Sequence, residues 1–119
     1  MMTSFDEAYR PEEIPETGGW IDSLEAVKRR ISAYTRGSAS MWIGISSRHA
    51  RGVKVRWTEK YEGLGMTNCI IIYTSESLDF VHEMEKELLE FYKTHVDNKI
   101  AGGGGRRGPK QYCVYVAWC

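Results

Sequence analysis

The sequence predicts an α+β domain, and two observations support this fold class. Three short runs, at 40–46, 68–74 and 111–118, are rich in β-branched and aromatic residues and have the length of strands. Two longer segments, at 20–36 and 75–95, repeat apolar residues at helical spacing. A chain of 119 residues with 42% hydrophobic residues is large enough to bury a core of its own, so we expect one domain.

The first nineteen residues differ in character from the rest. Residues 1–19 contain prolines and a glycine pair but no apolar period, which predicts an acidic flexible leader before a domain at 20–119. Residues 1–25 hold seven acidic side chains and one basic, whereas the remainder holds nine acidic and fifteen basic. A basic body with an acidic leader suits a surface that binds a polyanion, with the leader competing with the polyanion for that surface. Acidic tails also occur without that role.

The first helix is predicted to follow this leader. Trp20 and Ile21 precede it as a hydrophobic staple, Asp22 or Ser23 supplies the cap, and Gly37 ends it. Its apolar stripe consists of Leu24, Val27, Ile31 and Tyr34.

The strand at 40–46 leads into a basic segment. Gly44 lacks a side chain and so allows backbone or ligand to approach closely. The cations that follow are Arg48, Arg51, Lys54, Arg56 and Lys60. Such a segment after a strand suggests a phosphate-rich partner, although a solvated basic face explains the same charges.

Residues 53–61 fit two secondary structures. Val53, Val55 and Trp57 alternate with polar residues as in a strand, whereas Val53, Trp57 and Tyr61 also share one helical face. We predict the helix, which the glycines that follow would end.

The clearest helix is predicted to begin at Ser75 or Ser77 as its cap and to run to about His95. Its apolar stripe runs through Leu78, Val81, Leu88 and Tyr92. Glu85 occupies the remaining position of that stripe. A buried carboxylate without a partner is costly, so we expect Glu85 to pair with Arg56 or Lys60, to be partly exposed in a cleft, or to bind a cation.

A glycine-rich loop and a last strand close the chain. Residues 102–110 combine four consecutive glycines with Arg106, Arg107 and Lys110. The backbone N–H groups of such a loop can approach an anion, although a plain connector has the same composition, and the loop lacks the ending of a P-loop. The run at 111–118 is apolar on both faces, which is typical of a central strand.

The cysteines and the apolar runs bear on the compartment. The three cysteines form no CxxC pair and have no histidine at zinc-like spacing, so we expect reduced thiols in an intracellular protein of the cytoplasm or nucleus. The longest apolar run, 69–73, is far shorter than the roughly 20 residues of a membrane-spanning helix. The polar start does not fit a signal peptide. We therefore expect no membrane partner, and the sequence leaves the oligomeric state open.

The order of these motifs resembles the GIY-YIG endonuclease family over residues 40–104. Trp42-Ile43-Gly44 stands where the family has its YIG run, and Arg56 follows on a short basic element. A strand, Glu85 within a helical stripe and Asn98 before glycines then come in the family's order. The resemblance implies a small antiparallel sheet of about three strands flanked by helices.

The resemblance also implies metal-dependent hydrolysis of a phosphodiester bond in DNA or RNA. Trp42 would take the place of a tyrosine, Arg56 would steady the phosphate, and Glu85 would hold a single Mg²⁺ or Mn²⁺. Tyr61 stands where many members have histidine or tyrosine, and Asn98 matches an asparagine late in the family's domain. A divalent ion and a guanidinium can both stabilise the negative charge that builds on oxygen.

The chain departs from the family pattern at two points. Because Trp42 has no hydroxyl, the contribution of the family's tyrosine is lost or moved to another residue. The GIY strand is also missing before Trp42. We predict a circularly permuted arrangement in which 111–118 fills that place beside 40–46, and Tyr115 or Tyr112 supplies the hydroxyl that assists the attacking water.

Two other functions fit the same residues. A non-catalytic module would keep the fold and the basic cleft, with Trp57, Tyr61 and Tyr92 stacking bases, although aromatics at helical spacing also fit a core. The nucleic-acid contacts would come from Arg48, Arg51, Lys54, Lys60, Asn98, Arg106, Arg107 and Lys110. The third candidate is a protein-interaction domain in which the acidic leader is the functional part.

Overall fold

A three-stranded antiparallel sheet with helices on both faces forms the fold in the computed structural model, which describes residues 2–97 and 111–119. The elements are α1 (Phe5–Ala8), α2 (Trp20–Tyr34), β1 (Met41–Ser46), α3 (His49–Arg56), β2 (Asn68–Ser75), α4 (Leu78–Phe91) and β3 (Tyr112–Trp118). The strand order is β1-β3-β2, and both pairs are antiparallel. The predicted α+β class and the three-stranded antiparallel sheet are confirmed.

The last strand of the chain lies in the centre of the sheet, beside β1. Trp42 is paired with Ala117, and Gly44 is paired with Tyr115. All residues of β3 are buried, because strands flank it on both edges and helices cover both faces. The predicted placement of 111–118 as a central strand beside 40–46 is therefore confirmed.

The sheet separates two apolar layers. Ile43 of β1 and Val114 of β3 belong to the layer that α2 and α4 cover. Trp42 and Tyr115, each one residue away along its strand, belong to the layer that α1 and α3 cover. Since side chains alternate along a strand, neighbouring residues of β1 and of β3 face opposite layers.

The described residues before α2 pack against the domain, whereas the sequence pattern predicts a flexible leader at 1–19. Phe5 is only 7% exposed and packs in the α1 and α3 layer. The backbone also binds the free edge of β2, where the N–H of Arg10 donates to the carbonyl of Cys69 (3.1 Å). A buried aromatic ring and a sheet edge thus hold a segment whose prolines and glycines suggested mobility.

Two acidic residues of this segment contact α2. Arg30 Nη1 donates to Glu16 Oε2 at 2.9 Å, and the hydroxyl of Tyr34 donates to a carboxylate oxygen of Glu13. These two carboxylates are therefore bonded to α2. Because α2 and α3 cover opposite faces of the sheet, the two carboxylates are not paired with the cations of α3.

Replacing Phe5 with alanine is expected to release this segment from the edge of β2. Loss of a buried phenylalanine costs about 3 kcal/mol, which corresponds to about 100-fold in an opening equilibrium. Hydrogen exchange of the Arg10 and Glu16 amides, which donate to β2, should accelerate by up to that factor. Ile21→Ala is the matched control, because Ile21 is 69% exposed. Unchanged exchange in Phe5→Ala would show that this ring does not hold the segment.

The start of α2 differs from the predicted cap. The helix begins at Trp20, and Gly19 occupies the N-cap position, so neither Asp22 nor Ser23 caps it. The Ser23 hydroxyl instead donates to the carbonyl of Thr17 at 2.7 Å. This hydrogen bond joins the segment before α2 to the first turn of the helix. Capping rules consider only the residues around the N-cap and therefore do not predict it.

The helix predicted at 53–61 is confirmed over the strand alternative, but it begins earlier. It starts at His49 and widens into a π-helical turn over Trp57–Tyr61. Val53, Trp57 and Tyr61 are all buried along its inner face, as the helical pattern predicted.

Of the two predicted starts of the second long helix, Ser75 and Ser77, the structure confirms Ser77, but the helix ends before the predicted residue 95. Ser77 is its N-cap, accepting from the N–H of Phe80, and the helix ends at Phe91. The chain then turns so that Val96 is buried and the N–H of Asp97 donates to the carbonyl of Met41. α4 therefore ends before residue 95, because the chain returns to the sheet at this point. None of the helices in the described ranges combines the length and apolar character that crossing a bilayer requires.

Candidate functional site

A hydrogen-bonded pair of tyrosines lies under α3. Tyr61, at the end of the π-helical turn, and Tyr115, in the middle of β3, share a hydrogen bond of 2.9 Å. Their exposed fractions are 2% and 1%. The ring of Tyr115 lies across Gly44, where a Cβ would be 2.5 Å from Tyr115 Cζ. The glycine of the Trp42-Ile43-Gly44 run is therefore what makes room for this hydroxyl pair.

Trp42 extends the pair toward the surface. Its ring meets Tyr61 edge-on, with 6.1 Å between the centroids. Lys60 Nζ lies 4.0 Å from the centroid of the Trp42 ring, which is a close cation–π contact. Because Trp42 is only partly buried, this indole and its ammonium partner are accessible beside α3.

Two charged residues influence the hydroxyl pair. Burial raises the pKa of Tyr61, the Tyr115 hydrogen bond and the charge of Arg56 lower it, and the charge of Glu85 adds a small increase. Burial also raises the pKa of Tyr115, against a smaller opposing effect of Arg56. Both tyrosines therefore remain neutral hydroxyls at pH 7.

Glu85 is buried, but it lies on α4, which covers the other face of the sheet from Arg56. The Glu85 side chain is 2% exposed and makes no hydrogen bond or ion pair with any residue in the described ranges. The predicted alternatives of an ion pair with Arg56 or Lys60 and of an exposed cleft are thus corrected. Burial raises the pKa of Glu85 to about 7, so its carboxyl is partly protonated near neutrality.

A bound cation is the third environment that the sequence allows for Glu85. His82, three residues earlier on α4, has a buried Nε2 without a hydrogen-bond partner among the described residues. A carboxylate and an imidazole one helical turn apart fit a divalent ion in their chemistry. Within 2–97 and 111–119, however, no three His, Cys, Asp or Glu side chains are grouped around one point, so other ligands would have to come from water or substrate.

Four of the cations predicted to contact nucleic acid, together with Arg56, lie on the N-cap of α3, on α3 and on its π-helical extension. We define the basic surface as Arg48, Arg51, Lys54, Arg56 and Lys60. The first four are exposed, and none of the five forms an ion pair with a described residue. A cavity of about 270 Å³ between β1 and α3 is lined by Arg48 and Arg56. This surface is therefore rich in positive charge that the fold does not neutralise.

Ser46 and Gly52, which the sequence reasoning missed, place the basic surface against β1. The Ser46 hydroxyl accepts from the N–H of Arg48 and donates to the carbonyl of His49, both at 3.2 Å. Gly52 lies where any side chain would collide with Ser46. A glycine inside a helix lowers the stability of that helix, so its presence in a short helix indicates that another group approaches the backbone closely. Gly52 was therefore the sequence signal for this contact with β1.

Several predicted residues lie elsewhere. Tyr112 belongs to the α2 and α4 layer, so only Tyr115 of the two alternatives lies with Trp42 and Tyr61. Trp57 and Tyr92 are 0% and 6% exposed, and Tyr61 is equally enclosed, so the prediction that they stack bases is corrected. Asn98, Arg106, Arg107 and Lys110, together with the glycine run, lie outside the described residues.

Comparison of the chain with family models, with curated proteins and with solved structures finds no match.

Proposed function

We propose that this chain binds nucleic acid through the basic surface, with Trp42 beside it as a contact for sugar or base. The supporting observation is that five neighbouring cations have no ion-pair partner among the described residues. Such a stripe recruits phosphates, because contact with them releases condensed counterions. The partner is DNA or RNA. The proposal includes an intracellular location, which the three free cysteines favour.

The length of the basic surface suits several consecutive phosphates. Arg48 and Arg56 are eight residues apart, and a helix rises about 1.5 Å per residue, so the stripe spans about 12 Å. Phosphates along one strand of a duplex are about 3.4 Å apart along the axis. Along the helix axis, the surface is therefore about three or four phosphate spacings long.

Neutralising the centre of this stripe is expected to abolish most of the binding. The triple variant Arg51→Gln, Lys54→Gln, Arg56→Gln should bind a fluorescein-labelled 20-nucleotide strand at least tenfold more weakly at about 50 mM salt. It should also reduce the slope of log K against log salt by about two to three units, since each lost phosphate contact contributes about 0.7 to 0.9. Fluorescence anisotropy at several salt concentrations measures both quantities.

A charge-matched variant provides the control. Arg29→Gln, Arg36→Gln, Lys86→Gln changes the net charge equally but removes exposed cations of α2, of the turn after it and of α4, and these helices cover the other face of the sheet. It should retain nearly all of the affinity. Equal losses in both triple variants would show that net charge alone, and not the basic surface, attracts the strand. Absence of binding at low salt would reject the proposal.

Metal-dependent hydrolysis of the bound strand, which the GIY-YIG resemblance implies, is the second candidate. The observation that favours it is that the buried Glu85 lies one helical turn from His82, whose buried Nε2 has no hydrogen-bond partner among the described residues. A divalent ion, when held by Glu85, would supply a Lewis acid to polarise a phosphoryl oxygen. Arg56 would bind a phosphate at the basic surface, whereas Tyr61, which is 2% exposed, would act only through its hydrogen bond to Tyr115. The 1% exposure of Tyr115 weighs against direct contact between its hydroxyl and an attacking water.

Incubation of end-labelled DNA and RNA strands with Mg²⁺ or Mn²⁺ separates the two candidates. Cleavage that requires the metal, disappears in Glu85→Gln and persists in Glu87→Gln would support hydrolysis, because Glu87 lies off the buried stripe of α4. Binding without cleavage would leave the non-catalytic module.

A further inference from the structure

A larger cavity, of about 680 Å³, opens at the end of the sheet where β1 and β2 finish and β3 begins. Its lining includes His49, Thr74, Ser75, Glu76, Phe80 and Gln111. Cavities that bind small ligands have volumes of this order and combine an apolar wall with a few polar groups. Neither candidate function above uses this one.

The cavity is next to the basic surface in the chain. His49 is the first residue of α3, and its N–H donates to the carbonyl of Gln111 at 3.2 Å. Arg48, the preceding residue, lines the smaller cavity between β1 and α3. Consecutive residues therefore belong to the basic surface and to the wall of the larger cavity.

The charges of this lining disfavour a phosphate. Glu76 contributes a carboxylate that would repel an anion, and burial lowers the pKa of His49, so its imidazole is neutral near pH 7. Hydroxyls from Thr74 and Ser75 and the carboxamide of Gln111 can exchange hydrogen bonds with a neutral polar group. The cavity thus suits an uncharged polar molecule.

An aromatic side chain adds a surface for stacking. Phe80 lies off the buried stripe of α4, and it is 40% exposed where it lines the cavity. A base stacks on such a ring whatever its identity, while glutamine and glutamate side chains can pair with base edges or with sugar hydroxyls. Ring, carboxamide and carboxylate together match the groups of a nucleoside.

We propose that this cavity binds the base and sugar of one unpaired nucleotide, while the basic surface holds the phosphates that follow it. The inference rests on the proposed function and specifies its substrate, which is a nucleic acid with a single-stranded end or an unpaired base. A fully paired duplex can place a base in the cavity only after that base is unpaired and unstacked, which costs free energy that a single strand does not pay.

Comparison of two probes tests this inference. The intact chain should bind a 12-nucleotide labelled single strand more tightly than a blunt 12-base-pair duplex at the same salt concentration. Phe80→Ala should weaken single-strand binding about tenfold and leave duplex binding unchanged, because base stacking on an aromatic ring contributes a factor of this order. Gln111→Ala should weaken the single strand in the same direction. Thermal melts check that each variant folds.

Phe91→Ala is the matched control, because Phe91 is on the same helix, is 54% exposed and lines other cavities. It should bind both probes as the original chain does. Equal binding of both probes, unaltered in Phe80→Ala and Gln111→Ala, would overturn the cavity proposal. If the triple variant Arg51→Gln, Lys54→Gln, Arg56→Gln nevertheless lost affinity, the proposed function would stand without the cavity. Binding of neither probe would reject both proposals.

Discussion

Replacing Gly44 with alanine is expected to destabilise the fold by about 2 to 3 kcal/mol. A Cβ at this position would be 2.5 Å from Cζ and 3.0 Å from Cε1 of Tyr115. The Tyr115 ring cannot move aside cheaply, because it is 1% exposed and its hydroxyl is bonded to Tyr61. Chemical denaturation followed by circular dichroism measures the change.

Gly63→Ala is the control for this substitution. A Cβ at Gly63 would meet only the carbonyl oxygen of Lys60 at 3.7 Å, which is an ordinary contact. Its free energy of unfolding should change by about 0.5 kcal/mol or less, as surface substitutions usually do. If Gly44→Ala were as stable as Gly63→Ala, the Tyr115 ring would not lie across the strand as described.

Ionisation of Glu85 is expected to lower the free energy of unfolding as the pH rises. Burial raises the pKa of this carboxyl from 4.5 to about 7 in the folded state. Below the lower value the group is protonated in both states and has no effect. Between the two values the unfolded chain loses its proton first, so stability falls by about 3 kcal/mol in total by the time the pH exceeds 7.

Glu85→Gln isolates this effect, because the amide has the shape of the acid but does not ionise. The difference in unfolding free energy between Glu85→Gln and the original chain should grow by about 3 kcal/mol from pH 4.5 to pH 7.5. Glu87→Gln should show no comparable growth. A constant difference would mean that the carboxyl ionises as easily when folded as when unfolded.

The same measurement with Mg²⁺ or Mn²⁺ bears on the second candidate function. An ion that binds the ionised carboxylate stabilises the folded chain at high pH, by mass action. It would therefore reduce the fall in stability of the original chain and leave Glu85→Gln unaffected. This readout does not depend on catalysis.

Local spacing was sufficient to predict the secondary structure that organises the site. The stripe of α4 and the helical face through Val53, Trp57 and Tyr61 follow from a period that each helix carries by itself. The central position of 111–118 was also predictable, because a run that is apolar on both faces requires cover on both. Burial of Glu85 followed from its place in the stripe.

The partners of these residues were not predictable from spacing, because they come from distant parts of the chain. Tyr61 and Tyr115 are fifty-four residues apart, and their hydroxyls meet where Gly44 leaves room for the Tyr115 ring. The choice of Tyr115 over Tyr112 depends on which sheet face α3 covers. Packing of Phe5 likewise depends on a layer that forms only after the sheet does.

The sequence alone thus determined the fold class, the central strand, the cluster of cations after β1 and the inward position of Glu85. Periodicity and charge along the chain are local properties, and these features depend on nothing else. The tertiary structure decided which tyrosine joins Trp42, that Glu85 lies across the sheet from Arg56, and that the first residues pack on β2. Those features depend on which face of each strand a helix covers, and that is set by contacts between distant residues.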